Sequence, residues 1–320
     1  MCKRTLTMIL TASLCVAAGN LRAGTLAKNE IGADANWIVH VDHEAFLRSA
    51  IGKLVRAELT AQGMEEDMQN FATVFGFHPL DDVRDATLYG AGGDRKKAVV
   101  LIDGKFDQDK LLALVRMNAE HAEFDHGDVT IHRWLHEEKK GEESTHQMMY
   151  GCLCDGHLVV MSGDLDVTKR AVDAVRSPSA GPAAELLDAV TSDGNGAFFQ
   201  VAGTGVGAMA GDEPQAALLR QTEALRLHLG ETAGKVFVRI ALEAKSQEMA
   251  QSMGQMIEGL IAMATMAGQD QPALAEMVRK IQLSTEGKTT RLRFEAQAQP
   301  VFDFLKKQWE QKKQQSEATS

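Results

Sequence analysis

The chain has 320 residues, with 44 acidic against 34 basic side chains and a formal charge of −10. That balance opposes phosphate backbones and anionic lipid surfaces unless basic groups gather in one place, so nucleic acid is not an expected partner. Its four cysteines are too few for a disulfide-built scaffold, which a chain of this length does not need in order to bury a sufficient core.

Residues 1–23 read as a cleavable secretory signal. Lys3 and Arg4 supply the positive end, Leu6 to Ala18 is uncharged and mostly apolar, and Leu21-Arg22-Ala23 places a small residue before Gly24. The apolar stretch is shorter than the roughly 20 residues a helical span needs, and no later stretch is long enough, so no membrane span is expected after cleavage. The remaining body carries 31 basic and 44 acidic residues, a charge of −13, and is expected in the periplasm or outside the cell.

Trp37 to Val41 has the length and composition of a strand. Asp42 then caps a helix whose apolar residues, Phe46, Leu47, Ala50, Ile51, Leu54, Val55 and Leu59, recur at helical spacing. A second helix is expected over Glu65 to Phe75. Ala86 to Ala91 and Ala98 to Ile102 read as a hairpin around Gly92-Gly93-Asp94, and Asp107 opens another helix. Val129 to Leu135 alternates as a strand. Met148 to Cys154 and His157 to Met161 flank Asp155-Gly156, a pair suited to the positive φ angles of a two-residue turn. A helical stripe follows at Leu165, Thr168, Val172 and Val175. Ser177-Pro178-Ser179-Ala180-Gly181-Pro182 interrupts the pattern and suggests a boundary between a unit over 24–180 and one over 181–310.

In the second half, Ala197 to Val201 reads as a strand, Ala216 to Leu229 as a helix, and Val236 to Leu242 as an alternating strand. Long helices are expected over Ser246 to Met266 and Pro272 to Lys280, with a hairpin over Ile281 to Thr285 and Thr289 to Ala298. Pro300 suits the first turn of a final helix, and the polar residues from Gln311 to Ser320 read as a fraying tail. The fold class is thus α+β, with antiparallel sheets, helices packed on one face of each, and two halves of similar element order. One sheet shared by both halves is an equal alternative.

Several groups carry chemistry worth weighing. His126, His132, His136, His146, Cys152, Cys154 and His157 cluster within about thirty residues. On a strand, residues two apart share a face, so His132 and His136 project together. A two-residue turn would set Cys154 opposite His157, which puts Cys152, Cys154 and His157 on one face. Two thiolates and an imidazole, with His132 or His136 as a fourth ligand, suit Zn²⁺ or Cu⁺. The competing reading is a pair of buried thiols in an apolar hairpin, since a C-x-C pair on a flat strand wraps an ion poorly and is badly placed for a disulfide.

Met249, Met253, Met256, Leu260 and Met263 form a stripe that is either the buried face of a core helix or an adaptable binding groove. Gly203-Thr204-Gly205-Val206-Gly207 lacks the last glycine of a dinucleotide loop. In His40-Val41-Asp42-His43-Glu44, Asp42 is better placed as a helix cap than as half of an acid–base pair. G-x-S-x-G, H-E-x-x-H, P-loop and calcium-loop patterns are absent, and no cofactor or catalytic residue is expected. The function expected is an exported, non-catalytic protein that binds a partner, such as another envelope protein, or serves a structural role. A metal-binding protein and a hydrolase with a site assembled from distant residues are the alternatives.

Overall fold

Trp37–Asp42 (β1) is the strand at which the two halves of the chain meet. It pairs antiparallel with Val83–Gly90 (β2) on one side and with Ala197–Thr204 (β8) on the other. The computed structural model describes residues 30–140, 143–177, 181–182, 184–191, 195–209, 217–268 and 272–318. The segment read as a signal, and residues 178–180 of the break at Ser177–Pro182, lie outside them.

From β1 and β2 the sheet continues through Val99–Gly104 (β3), Leu158–Ser162 (β7), Glu143–Cys154 (β6), Val129–Lys140 (β5) and Ala122–His126 (β4). From β8 it continues through Thr222–Thr232 (β9), Lys235–Ala244 (β10), Thr289–Gln297 (β12) and Gln282–Glu286 (β11). The halves therefore share one antiparallel sheet of twelve described strands. Each opens with a strand, then a helical stretch, then two more strands. The first half has two additional strands between its edge hairpin and its third strand.

Side chains alternate between the two faces of this sheet. The register puts Ile38, Tyr89, Leu101, Val160 and Ala202 on a first face. Leu165–Arg176 (α5) covers that face over β3, β6 and β7, and Ala184–Thr191 (α6) covers it over β1, β8 and β9, closing a core of Ile38, Ile131, Val160, Val172, Leu186 and Val190. On the opposite face of β10 and β12, Gln247–Ala267 (α9) packs Ala250, Met253 and Ile257 against Leu242. Beside it, His43–Arg48 (α1), Ala50–Ala61 (α2) and Ala298–Ala318 (α11) pack Phe46 and Ile51 with Val41, Phe198 and Val236. Met64–Phe75 (α3), Gln108–Arg116 (α4), Val206–Met209 (α7), Ala217–Arg220 (α8) and Pro272–Arg279 (α10) complete the helices. The last helix includes the polar tail as far as Ala318.

Three sequence expectations change. Thr222–Thr232 is a strand, although Ala216 to Leu229 reads as a helix. Glu, Ala and Leu favour helix locally, but Leu225, Leu227 and Leu229 alternate and pair on both sides with β8 and β10, so tertiary pairing overrides propensity. The turn at Asp155-Gly156 has the expected positive φ at both residues, yet the strands pair Cys154 with Leu158, one residue out from a simple two-residue loop. The helix after β1 breaks at Ser49, whose hydroxyl accepts from Gly52 N and caps a new helix.

The start of that new helix is held from a distance. Glu231 on β9 accepts from Ala50 N at 2.8 Å and from Ile51 N at 2.9 Å, placing a carboxylate on the positive end of α2. Glu231→Ala is expected to lower unfolding free energy by about 1–2 kcal/mol, as loss of a charged cap does, and urea denaturation measures it.

Candidate functional site

On the first face α6 reaches β9, and beyond it the first face of β10 and β12 carries no helix among the described residues. The alternation that buries Leu225, Leu227, Ile240, Leu242 and Leu292 under α9 turns Arg226, His228, Arg239, Arg291 and Arg293 the other way. Register orders them in two rows across three strands. Arg293, Arg239 and His228 lie side by side, and the next row is Arg291, Ala241 and Arg226. Ala241 leaves a floor between the arginines, and the concavity they surround, with Glu243 and Thr289 at its end, has a volume of about 230 Å³.

Two of these guanidinium groups have evident company. Arg291 pairs with Glu286 at 3.2 Å, and Arg239 lies 4.2 Å over the Phe237 ring. Arg226 and Arg293 are exposed and have no ion-pair partner among the described residues. His228 is buried; its Nε2 donates to Val190 O at 3.1 Å, which ties this end of the site to α6. Like charges directly opposite on neighbouring strands repel. A carboxylate or phosphate set among them relieves that repulsion and receives the paired N–H groups that planar guanidinium offers. The row of Arg293, Arg239 and His228 runs on as Gln200, His40 and Thr87, all three buried, with His40 Nδ1 2.9 Å from Thr87 Oγ1.

The residues singled out for a metal are divided by the sheet. Cys152 and Cys154 are buried on the first face as free thiols with Sγ atoms 3.8 Å apart. Their mutual hydrogen bond, together with burial, pushes the Cys152 thiol up and keeps it protonated. Since Cys154 faces Leu158, His157 is displaced from the pair; it is exposed at the turn, its Nδ1 3.1 Å from Asp155 O. His132 and the exposed His136 lie on the opposite face from the thiols.

His132 has other neighbours. It stands directly opposite Glu123 on β4, and His121, just before that strand, stacks on its ring. His121 Nε2 is 3.2 Å from His132 Nδ1, and Glu123 Oε1 is 3.9 Å and 3.6 Å from these two nitrogens. Burial lowers the His132 pKa and favours neutral imidazole. Neither His121 nor Glu123 falls within the cluster that the sequence brings to notice. The His126-Gly127-Asp128-Val129 turn is the signal that pairs position 123 with 132.

The methionine stripe divides as well. Met253 is fully buried against the sheet, whereas Leu260, Met263 and Met266 are 56%, 60% and 69% exposed. Behind them, Leu227, Ile240, Ile257, Ile261 and Leu292 line an apolar cavity of about 520 Å³ between α9 and the sheet. Asp42 caps α1 by accepting from Ala45 N at 2.9 Å, as its position in the sequence suggests. It also stands opposite Asp85, and Asp85 opposite Asp103, so three carboxylates line up across β1, β2 and β3. Neither cavity described above is lined by them.

Among the described residues no helix is long and apolar enough to cross a membrane. No protein-family profile matches the chain, and no curated protein matches it. Among solved structures, the chain is similar to three described as crystal forms of TP0453. Form III is 10% identical with a TM-score of 0.47, covering 88% of this chain and 98% of that one. Form I is 10% identical at 0.47, covering 89% and 98%. Form IV is 11% identical at 0.44, covering 88% and 97%.

Proposed function

We propose that this is a non-catalytic binding protein acting outside the cytoplasm, whose open arginine-bearing sheet face receives an acidic segment of a partner protein. The observation that carries the reading is the convergence of Arg226, Arg239, Arg291 and Arg293 around Ala241 in a chain whose overall charge is −10. Arg226 and Arg293, which have no ion-pair partner among the described residues, stand beside Arg291 and Arg239, and a counter-charge arriving there relieves their mutual repulsion. Three strands span roughly 10 Å and two residues along them roughly 7 Å, a footprint that fits one or two carboxylate side chains. The extracytoplasmic placement rests on the charge and hydropathy pattern of residues 1–23. N-terminal sequencing of protein recovered from the cell envelope is expected to begin at Gly24.

Fluorescence anisotropy with a labelled oligoglutamate peptide tests the binding face. Wild-type protein is expected to bind it, more weakly as salt is raised. The double variant Arg226→Glu/Arg293→Glu changes two exposed side chains and is expected to fold normally while binding at least about tenfold more weakly. Equal binding by wild type and variant would remove the arginine face from the function.

A further inference from the structure

We propose that His121, Glu123 and His132 form a zinc site in which the protein supplies three ligands and leaves a further position open. Their donor atoms lie within 4.8 Å of one another. Zn–N and Zn–O bonds of about 2.0–2.1 Å in a tetrahedron place neighbouring donors about 3.4 Å apart. The spacings here are 3.2 Å between the imidazole nitrogens and 3.6 Å and 3.9 Å to the carboxylate, so loading an ion requires only small side-chain adjustments.

The fold supports the arrangement from below. Glu123 and His132 face each other across a regular antiparallel pair, so their Cβ separation is set by the ladder. His121 immediately precedes β4, held by a turn bond from its N–H to Asn118 O, and its ring stacks on His132 at 5.5 Å between centroids. Arg116 Nε and one terminal nitrogen donate to Glu123 Oε1 at 3.2 Å and 3.1 Å, giving the carboxylate the kind of outer hydrogen bond that ligating carboxylates usually have. Two imidazoles and one carboxylate select zinc over calcium or magnesium, which prefer all-oxygen shells. Glu123 and His132 open onto a polar cavity of about 330 Å³ walled by α4, with room for water at the remaining position. The site lies on the opposite face from the Cys152–Cys154 pair and shares none of its ligands.

The test uses the full tag-free chain, stripped with EDTA and titrated with zinc chloride by calorimetry, with bound metal counted by elemental mass spectrometry. Roughly one zinc per chain is expected, accompanied by a rise in melting temperature that calcium does not produce. His121→Ala, Glu123→Gln and His132→Ala are each expected to weaken binding at least about tenfold and to abolish the zinc-dependent rise. His157→Ala and the double variant Cys152→Ser/Cys154→Ser are expected to leave both unchanged. Glu123 is a surface residue and His121 is only half-buried, so these two variants decide the matter even where His132→Ala does not fold. The proposal is overturned by less than about a tenth of a zinc per chain at saturation. It is equally overturned by binding that survives Glu123→Gln and His121→Ala, or that vanishes with the cysteines instead.

Discussion

Lowering the pH from 7 to 4 is expected to remove about 3 kcal/mol of unfolding free energy, read as a falling urea midpoint. The cause is a pair of buried histidines near the centre of the sheet. Burial pushes the His40 pKa down to about 4 and the His43 pKa down to about 3, from an ordinary 6.5. Among the described residues His40 Nε2 and His43 Nδ1 have no hydrogen-bond partner, so a proton added to either places a charge without a hydrogen-bond acceptor in the core. Once the chain unfolds, both imidazoles protonate near 6.5. The unfolded state therefore binds more protons throughout the window, and the stability that both histidines contribute above 6.5 is lost as pH falls toward 4 and then 3.

Asp85 acts in the opposite sense. Burial, then the charges of Asp103, Asp42 and Glu30, push its carboxyl up to about 7 from 3.8. Between those values the folded state holds a proton that the unfolded state has released, so Asp85 favours folding at low pH and opposes it as pH rises toward 7. Two protons taken up on unfolding, less one released, leave a net slope of about one proton, or about 1.4 kcal/mol per pH unit. Glu30 and Glu44, raised chiefly by burial, trim that slope in the same direction as Asp85. The variants separate the contributions. His43→Gln keeps a donor for Leu80 O, which His43 Nε2 reaches at 3.0 Å, and is expected to lower the slope by about one proton. Asp85→Asn is expected to raise it by about one proton and to stabilise the protein by about 4 kcal/mol at pH 8. Parallel pH–stability curves for wild type and both variants would show that these groups are not buried as described.

What was legible in the sequence follows from which signals are local. The Val236 to Leu242 alternation, the positive φ angles at Asp155-Gly156 and the helix starts at Asp42 and Asp107 depend on neighbours in sequence, and each appears in the structure. The identity of β9 depends on β8 and β10, which lie on either side of it in space, and Glu223-Ala224-Leu225 resembles a helix without them. Misassigning that one strand also hides the arginine site, because Arg226 and His228 reach the open face only when residues 222–232 alternate with period two. His132 drew notice as a potential ligand, but its partners are set by the β4–β5 register, and the thiols proposed beside it point to the other side of the sheet. Which face each helix covers was not readable at all, because nothing in a strand's alternation says which side the connecting helix will take.

Gly52→Ala is expected to destabilise the protein by at least about 2 kcal/mol, opposite in sign to the gain of about 1 kcal/mol that this change brings inside a regular helix. The sequence places Gly52 in an unbroken helix running on from Asp42. In the structure α1 stops at Arg48, Ser49 adopts φ −62° and ψ 161°, and the chain turns sharply into α2. The turn brings Gly52 against the end of the preceding helix, where an added Cβ would lie 1.9 Å from Phe46 O and 2.6 Å from Phe46 C. A backbone carbonyl cannot rotate away as a side-chain tip can. Phe46 is also held, since its ring packs edge-on against Phe198 at 5.1 Å in the core between α1, α2 and β8. Relief therefore requires either opening the turn, and with it the Ser49 cap, or moving Phe46 out of its packing. Ala57→Gly, at an exposed position later in α2, supplies the control, with an expected loss of about 1 kcal/mol from helix propensity alone. If urea denaturation shows Gly52→Ala to be neutral or stabilising while Ala57→Gly costs its expected amount, the break at Ser49 and the close approach to Phe46 are both wrong.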